Sequence, residues 1–235
     1  MPVSDGMHRS CADALPRLPV SWLGECRHWV FDMDGTLTVA VHDFALIRRE
    51  LGIPEAHDIL EHLTALDADE AAACRAWLMA HERELALAAQ PAPGALDLLQ
   101  ALHEAGCRLG VLTRNAGSLA WLTLQAIGVD GLFRQGEVIG RDDAVPKPDP
   151  DGLLRLAARW EIPVRQLVMV GDYRFDLECG RAAGAATLLV NQPQRAWPEL
   201  ADWQFRDCAE VLQAWRDEVA TGEIVKRDSN CVRIS

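Results

Sequence analysis

The sequence predicts an α/β fold in which helices cover both faces of a parallel sheet, a Rossmann-like three-layer sandwich with an inserted small helical cap domain. Short apolar runs alternate with longer helical stretches along most of the chain, as in proteins with buried parallel strands. About seventy-five residues separate the first two runs, whereas a crossover between parallel strands needs only a dozen or so. We therefore expect a separate helical unit in this gap.

The apolar runs end in polar residues, which is typical of strands that are buried on both faces. Four of them predict strands at residues 28–32, 107–113, 167–172 and 186–191, and two shorter strands are expected at 136–140 and 203–205. Helical spacing of leucine and alanine, with glycine or proline at the ends, predicts helices at 94–105, 116–127, 149–160, 175–183 and 208–218.

The inserted unit is expected at residues 39–92, with helices at 45–51, 56–66 and 68–89. It ends at the sequence Pro91-Ala-Pro-Gly94, which resembles a hinge. The rest of the chain is then divided into an N-terminal extension (1–27), a Rossmann-like core (28–38 and 93–221) and a C-terminal tail (222–235).

Composition narrows the classes of partner. The chain has 235 residues, of which 49% are hydrophobic, and a formal net charge of -12, which would repel nucleic acids and anionic membranes. Its seven cysteines are scattered, without the close pairs of a zinc or redox site, and residues 1–27 lack the apolar core of a signal peptide. We expect a cytoplasmic protein that binds neither nucleic acid nor membrane, and the oligomeric state stays open.

Acidic side chains follow two of the predicted strands. Asp32 and Asp34 come after the first strand, before a turn at Gly35, and Asp172 and Asp176 come after the 167–172 strand. The carboxyl ends of parallel strands meet at one edge of a sheet, so these groups should converge. Several carboxylates in one crevice repel one another unless a cation lies between them, and an all-oxygen cluster suits Mg²⁺.

A phosphate ligand is the natural companion of such a metal, and it requires positive charge. The chain has only two lysines, and Lys147 lies between prolines in the segment 145–150, which stiffen its backbone. Thr113 ends the second strand and could supply a hydroxyl donor, together with amides of the following helix. The sequence thus predicts a site for Mg²⁺ and phosphate.

Four motifs occur in order along the chain: Asp32-Met-Asp-Gly-Thr-Leu-Thr38, Thr113, Lys147-Pro-Asp-Pro150 and Gly171-Asp-Tyr-Arg-Phe-Asp176. Their order and spacing resemble the signature of the haloacid dehalogenase-like hydrolase superfamily over residues 27–191. The insertion after the first motif resembles the small helical cap of the phosphoglycolate phosphatase and β-phosphoglucomutase branch. One departure is Tyr173, where the family often has a small hydroxyl residue.

The resemblance implies a role for each motif residue. Asp32 would be the nucleophile that forms an aspartyl-phosphate, and Asp34 the general acid and base. The phosphoryl group would be held by Thr113, Arg114 and Lys147. The Mg²⁺ ligands would be Asp32, the carbonyl of Asp34, Asp172 and Asp176. The expected substrate is a small phosphorylated metabolite, either phosphoglycolate-like or a sugar phosphate.

The sequence also distinguishes, in part, a phosphatase from other proteins that have a similar site. Asp34 argues against a haloalkanoate dehalogenase, and the lack of lysine in residues 39–92 argues against a phosphonate hydrolase that forms a Schiff base. A phosphomutase stays open as the alternative. A phospho-receiver of a signalling relay, from a different class, fits less well, because such modules are about half this length and lack the insertion.

The cap is expected to close over the site and to select the leaving group. Asn115 and the cap residues His42, Phe44 and Arg48 are the candidate contacts to the substrate. Any of the cap arginines Arg48, Arg49 and Arg75 could meet a substrate carboxylate, since a guanidinium matches a carboxylate bidentately.

Overall fold

The structure is a computed structural model that describes residues 18–41, 43–193 and 195–231. Six parallel strands form one sheet: β1 (His28–Phe31), β2 (Arg108–Leu112), β3 (Val138–Ile139), β4 (Leu167–Gly171), β5 (Ala186–Leu189) and β6 (Trp203–Gln204). All six lie where the apolar runs predict them. The order across the sheet is β3-β2-β1-β4-β5-β6, so the first strand of the chain lies between β2 and β4. This is the point where the chain order reverses, and in open parallel sheets ligands bind beyond the carboxyl end of the strands there.

Helices connect the strands and cover both faces of the sheet. In chain order they are α1 (Ser21–Glu25), α2 (Phe44–Leu51), α3 (Ile59–Ala65), α4 (Ala68–Leu87), α5 (Ala95–Glu104), α6 (Gly117–Ala126), α7 (Asp151–Arg159), α8 (Arg174–Ala183) and α9 (Cys208–Cys231). Because side chains alternate along a strand, Trp29 and Phe31 of β1 pack with α5, α6 and α9, while Val30 packs with α7 and α8 on the other face. The predicted three-layer α/β sandwich is confirmed.

The insertion between β1 and α5 contains helices α2, α3 and α4, which share a small hydrophobic cluster of their own. That cluster is built around Ile47, Ile53, Ile59, Leu63 and Leu78. The two segments that join the insertion to the sheet run side by side: the amide of Val39 donates to the carbonyl of Gln90, and the amide of Ala92 donates to the carbonyl of Leu37, each at 2.9 Å. The helical cap is therefore present, and its boundaries at residues 39 and 92 stay a prediction.

The last helix is longer than expected. The prediction of a helix ending near Glu218 is wrong, because α9 continues to Cys231. Gly222 is the only glycine in the extra turns, and one glycine in a helix interior costs only about 1 kcal/mol relative to alanine.

The short helix α1 lies against α9, although it belongs to the segment set aside as an N-terminal extension. Leu23 is fully buried in the main core, and the ring of Trp22 stacks on Trp203 with centroids 5.6 Å apart. Gly24 makes this approach possible, because a side-chain carbon there would lie 2.9 Å from backbone and side-chain atoms of Glu218. Residues from Leu18 onward thus pack as part of the core.

Candidate active site

The chain leaves β1 at its carboxyl end through a tight turn that carries Asp32 and Asp34. The Asp32 amide donates to the Val170 carbonyl at 2.9 Å, which prolongs the pairing with β4 by one residue. Gly35 follows with a φ of 82°, a left-handed conformation that side chains rarely adopt. A side-chain carbon at Gly35 would also collide with the carboxylate of Asp172. Glycine is therefore required for the turn and for its close approach to the end of β4.

Three carboxylates from two strand ends converge at this edge of the sheet. Asp32, Asp172 and Asp176 each place a carboxylate oxygen within 4.8 Å of the other two. Asp172 accepts a hydrogen bond of 3.3 Å from the Thr36 hydroxyl, and Asp176, in the first turn of α8, accepts one of 3.0 Å from the Tyr173 amide. The structure thus brings together the acidic groups that the sequence places in one crevice.

Lys147 lies among these carboxylates and is almost completely buried. Its ammonium is 2.5 Å from Oδ1 of Asp32 and 2.7 Å from Oδ1 of Asp176, and it donates a third hydrogen bond of 2.7 Å to the carbonyl of Leu112. These three acceptors match the three donors of an ammonium group. Lys147 is therefore fixed as a point charge beside Asp32.

Burial and mutual repulsion control the ionisation of the cluster. Burial raises the pKa of Asp32 well above its ordinary value; the charge of Lys147 opposes this shift, and the neighbouring carboxylates add to it. Burial and then the charge of Asp176 raise the pKa of Asp172 to about 7. Burial alone would lower the pKa of Lys147, but Asp176 and Asp32 outweigh it, so the pKa is raised and the ammonium stays charged.

The cluster fits a divalent metal ion. Its donor atoms are all carboxylate oxygens, which suit Mg²⁺, and together they carry more negative charge than the Lys147 ammonium neutralises. Burial is the largest cause of the raised pKa of Asp172, and the charge of Asp176 adds to it. A divalent cation between these carboxylates would favour their charged forms.

The opposite side of the crevice is built by the residues that follow β2. The side-chain amide of Asn115 donates to Oδ2 of Asp34 at 2.6 Å, and the Asn115 backbone amide donates to the hydroxyl of Thr113 at 3.1 Å. Thr113 is buried and its own amide pairs with the carbonyl of Ile139 at 3.0 Å. Asp34, Thr113 and Asn115 are thus held together, facing the carboxylate cluster.

Arg114 contacts the cap in this structure. Its Nη2 is 2.8 Å from both carboxylate oxygens of Asp58, and its guanidinium carbon lies 4.7 Å above the centre of the Phe175 ring. Asp58 also accepts from the amides of Leu60 and Glu61 at the start of α3. Burial would raise the pKa of Asp58, but Arg114 and these amides outweigh it and hold the pKa below its ordinary value.

A second ion pair joins core and cap beside the first. Arg141, just after β3, donates from Nη1 and Nη2 to the two carboxylate oxygens of Glu82 in α4, at 2.7 and 2.9 Å. Nη1 of Arg141 also donates to the carbonyl of Arg114 at 3.2 Å, so the two pairs are connected. Glu82 is buried, and its pairing is bidentate, the geometry that suits a buried guanidinium and carboxylate.

A cavity of about 580 Å³ lies between the strand ends and the cap. The predicted site residues that line it are Asp32, Asp34, Phe44, Arg48, Thr113, Arg114, Asn115, Lys147, Asp172 and Asp176. His42, the remaining candidate, lies outside the described residues. Arg49 and Arg75 do not line the cavity: Arg49 pairs with Glu50, and Arg75 donates to the carbonyl of Leu63.

A family model for the haloacid dehalogenase-like hydrolases matches residues 26–184, more than half of the chain. The chain belongs to this family. Among curated proteins, the hydrolase is 31% identical over 214 residues to a haloacid dehalogenase-like hydrolase domain-containing protein of Arabidopsis thaliana, covering 84% of each chain. It is 28% identical over 183 residues to the N-acetylmuramic acid 6-phosphate phosphatase of Pseudomonas aeruginosa, covering 68% of this chain and 80% of the relative. It is 34% identical over 97 residues to the phosphoglycolate phosphatase of Salmonella typhi, covering 41% of this chain and 38% of the relative.

Solved structures show the same fold. A hydrolase from Pseudomonas syringae aligns with a TM-score of 0.67 and 22% identity, covering 81% of this hydrolase and 98% of that chain. A predicted phosphoglycolate phosphatase from Haemophilus somnus aligns with a TM-score of 0.65 and 23% identity, covering 80% of this hydrolase and 97% of that chain. The predicted superfamily, its phosphoglycolate phosphatase-like branch and the assignment as an enzyme are confirmed. Within the described part of the hydrolase, no helix has the length and apolar content needed to cross a membrane.

Sequence reasoning missed Asp58, Glu82 and Arg141 as residues of the site. Asp58 precedes an apolar helical run and could have been recognised as a helix N-cap, but this gives no hint of its arginine partner. Glu82 reads as one of several charges on a solvated helix face, and only the folded chain shows that it is buried. The sequence carries no signal that pairs residues about sixty positions apart across two units of the fold.

Proposed function

We propose that this hydrolase is a Mg²⁺-dependent phosphatase that hydrolyses a small phosphorylated metabolite through an aspartyl-phosphate on Asp32. The observation that carries the proposal is the buried Lys147 ammonium, held between Asp32 and Asp176 at the edge of an all-carboxylate cluster. This arrangement supports the proposal, because it would supply a nucleophile, a fixed positive charge and a metal site within one crevice. The phosphatases among its relatives support the same chemistry.

The metal would be held by Asp32, Asp172 and Asp176, with the main-chain carbonyl of Asp34 as the further ligand that the family resemblance implies. Bound there, Mg²⁺ would act as a Lewis acid toward the phosphoryl oxygens. The Thr36 hydroxyl and the Tyr173 amide hydrogen-bond Asp172 and Asp176, so the ligands are oriented by the chain itself.

In the first half-reaction, a carboxylate oxygen of Asp32 attacks phosphorus, and the bond from phosphorus to the leaving-group oxygen breaks. Asp34 gives its proton to that oxygen, so the alcohol leaves neutral. Lys147 would balance the negative charge of Asp32 and of the phosphoryl group, and the Thr113 hydroxyl would donate to a phosphoryl oxygen. Arg114 is engaged with Asp58 in this structure and would act on the phosphoryl group only after leaving that partner.

In the second half-reaction, Asp34 takes a proton from water, whose oxygen attacks the phosphorus of the aspartyl-phosphate. Inorganic phosphate leaves, and Asp32 and Asp34 return to their starting states. The hydrogen bond from Asn115 to Asp34 keeps the same carboxylate in position for both proton transfers.

The deciding experiment compares Asp32→Asn with wild type on a panel of phosphorylated metabolites and on p-nitrophenyl phosphate, with Mg²⁺ present. We expect phosphate release from wild type and none from the variant, since an amide is not a nucleophile here. Asp97→Asn, at an exposed position of α5 outside the cavity, is the matched control. Wild-type rates in Asp32→Asn would overturn the covalent mechanism.

A phosphomutase is the alternative, and product analysis separates it from a phosphatase. A mutase returns the phosphoryl group to a bound sugar and gives an isomeric sugar phosphate, whereas a phosphatase gives free alcohol and inorganic phosphate. The phospho-receiver alternative is disfavoured by the family assignment and by the helical cap above the crevice.

A further inference from the structure

The cavity has two unlike walls. The wall formed by the core carries the carboxylates, Lys147 and the hydrogen-bonding groups around Thr113. The wall formed by the cap is mainly apolar: it contains seven apolar residues, Ala40, Phe44, Ile47, Ala56, Ile59, Leu60 and Leu78, beside the polar or charged Arg48, Glu55, His57, Asp58 and Glu82. A phosphoryl group bound to the core wall would therefore direct its leaving group toward an apolar surface.

Most charged side chains on the cap wall already form ion pairs or hydrogen bonds with other residues. Asp58 is paired with Arg114, and Glu82 is paired with Arg141. Arg48 donates to the carbonyls of His57 and Phe44, at 3.3 and 3.4 Å. A leaving group with a second negative charge would meet Glu55 as well as these two acidic groups, and among the described cap residues Arg48 is the one guanidinium that lines the cavity.

The cavity is also large for the smallest expected substrate. Its volume of about 580 Å³ falls in the range of roughly 300–1,000 Å³ that is usual for pockets of drug-sized ligands. Phosphoglycolate has about nine non-hydrogen atoms. Even at the roughly 30 Å³ that a water molecule takes up in the liquid, they would fill at most about half of the space.

The volume of the cavity, the apolar residues of its cap wall and the pairing of Asp58 and Glu82 all favour the same kind of leaving group. We propose that the leaving group is a bulky, uncharged alcohol with an apolar face that packs under the cap, and that Phe44 determines this preference. The proposal rests on the phosphatase function proposed above and restricts its substrate class to phosphate monoesters of such alcohols, against short carboxylates such as phosphoglycolate. Phe44 is the suited residue, because it lines the cavity and is 56% exposed.

The test uses two synthetic esters with the same reactive group, 2-cyclohexylethyl phosphate and ethyl phosphate, and measures kcat/KM for both and for 2-phosphoglycolate. Both alcohols are primary and leave with similar intrinsic ease, so their ratio reports packing alone. Burial of a methylene stabilises binding by about 0.8 kcal/mol, so the six extra ring carbons should raise kcat/KM at least about a hundredfold. A ratio near one, or phosphoglycolate as the better substrate, overturns the proposal.

Phe44→Ala should lower the ratio of the bulky to the small ester at least about tenfold, since it removes an apolar wall from the leaving-group side. Leu87→Ala is the matched control, because Leu87 is 57% exposed in the cap helix α4 and does not line the cavity. The control should keep the wild-type ratio. Equal losses on both esters in Phe44→Ala would mean that Phe44 does not select the leaving group.

Hydrolysis of p-nitrophenyl phosphate is measured as well, because it shows whether the protein is a phosphatase whatever its leaving-group preference is. If this reporter is hydrolysed while the bulky ester has no advantage, the phosphatase stands and the inference is wrong. If neither ester, phosphoglycolate nor the reporter is turned over, both proposals are overturned.

Discussion

The side-chain amide of Asn115 donates a hydrogen bond of 2.6 Å to Oδ2 of Asp34. The backbone amide of Asn115 is itself tied to the Thr113 hydroxyl, so the donor has little freedom to move. Asn115 therefore fixes the direction in which Asp34 presents its other carboxylate oxygen.

We expect Asn115→Ala to lower kcat by about 10- to 100-fold, because a hydrogen bond to a charged group contributes about 1.5–3 kcal/mol. The effect should appear mainly in kcat, since Asn115 acts through Asp34. Steady-state kinetics on p-nitrophenyl phosphate check it, with Gln125→Ala, an exposed amide on α6, as the control. A change confined to KM would assign Asn115 to substrate binding instead.

Lys147→Met should lower kcat/KM by at least about a hundredfold, the usual effect of removing one preorganised charge or donor from a phosphoryl or oxyanion site. The substitution keeps most of the side-chain volume but leaves Asp32 and Asp176 without their cation. Its unfolding temperature must be measured as well, because an unpaired buried charge is destabilising. Arg155→Met, at an exposed position, is the control. A loss of less than about fivefold in folded protein would contradict the role given to Lys147.

Asp172→Asn should stabilise the metal-free protein, and more so at pH 8 than at pH 5. The pKa of Asp172 is about 7 in the folded protein against an ordinary value of 3.8. Between about pH 4 and pH 7 the folded protein therefore holds a proton that the unfolded chain has released. The stability of the folded protein falls as the pH rises through this range, and it stays lower at pH 8, where folded Asp172 is charged. Asparagine carries no charge and avoids that loss.

Thermal unfolding in EDTA at the two pH values measures this effect. One pKa unit corresponds to about 1.4 kcal/mol, so a gain in Tm of at least about 3 °C at pH 8 is expected. Added Mg²⁺ should raise the Tm of wild type and leave that of Asp172→Asn nearly unchanged. Equal stabilisation of both proteins by Mg²⁺ would reject Asp172 as a ligand.

Asp58→Asn should release Arg114 from the cap while keeping the start of α3, because asparagine is as good an N-cap as aspartate. The freed guanidinium could then meet an anionic leaving group. We expect kcat/KM for phosphoglycolate to rise at least about fivefold relative to that for ethyl phosphate. Glu61→Gln, on the same helix and exposed, is the control. An unchanged ratio would show that Arg114 does not reach the leaving group.

The strands and the four motifs could be predicted from sequence because their signals are local. A run such as residues 167–171 is buried on both faces and apolar throughout, and Asp172 follows it directly, so the fold and the convergence of Asp32 and Asp172 could be inferred from the ends of the strands. Lys147 lies in a loop, and its place in the site followed from the scarcity of lysine and from the order of the motifs. The partner of Arg114 could not be predicted, since its motif position suggested phosphate and only the packing of the cap brings Asp58 near. The continuation of α9 to Cys231 could not be predicted, because most residues after Glu218 are weak helix formers.

The paired segments that connect the cap to the sheet limit how the cap can move. Because the amides of Val39 and Ala92 donate to the carbonyls of Gln90 and Leu37, we expect the two connecting segments to bend together, so that the cap rotates about them. Such a rotation would separate Arg114 from Asp58 and Arg141 from Glu82 at the same time. Weakening either ion pair should therefore make the other easier to break.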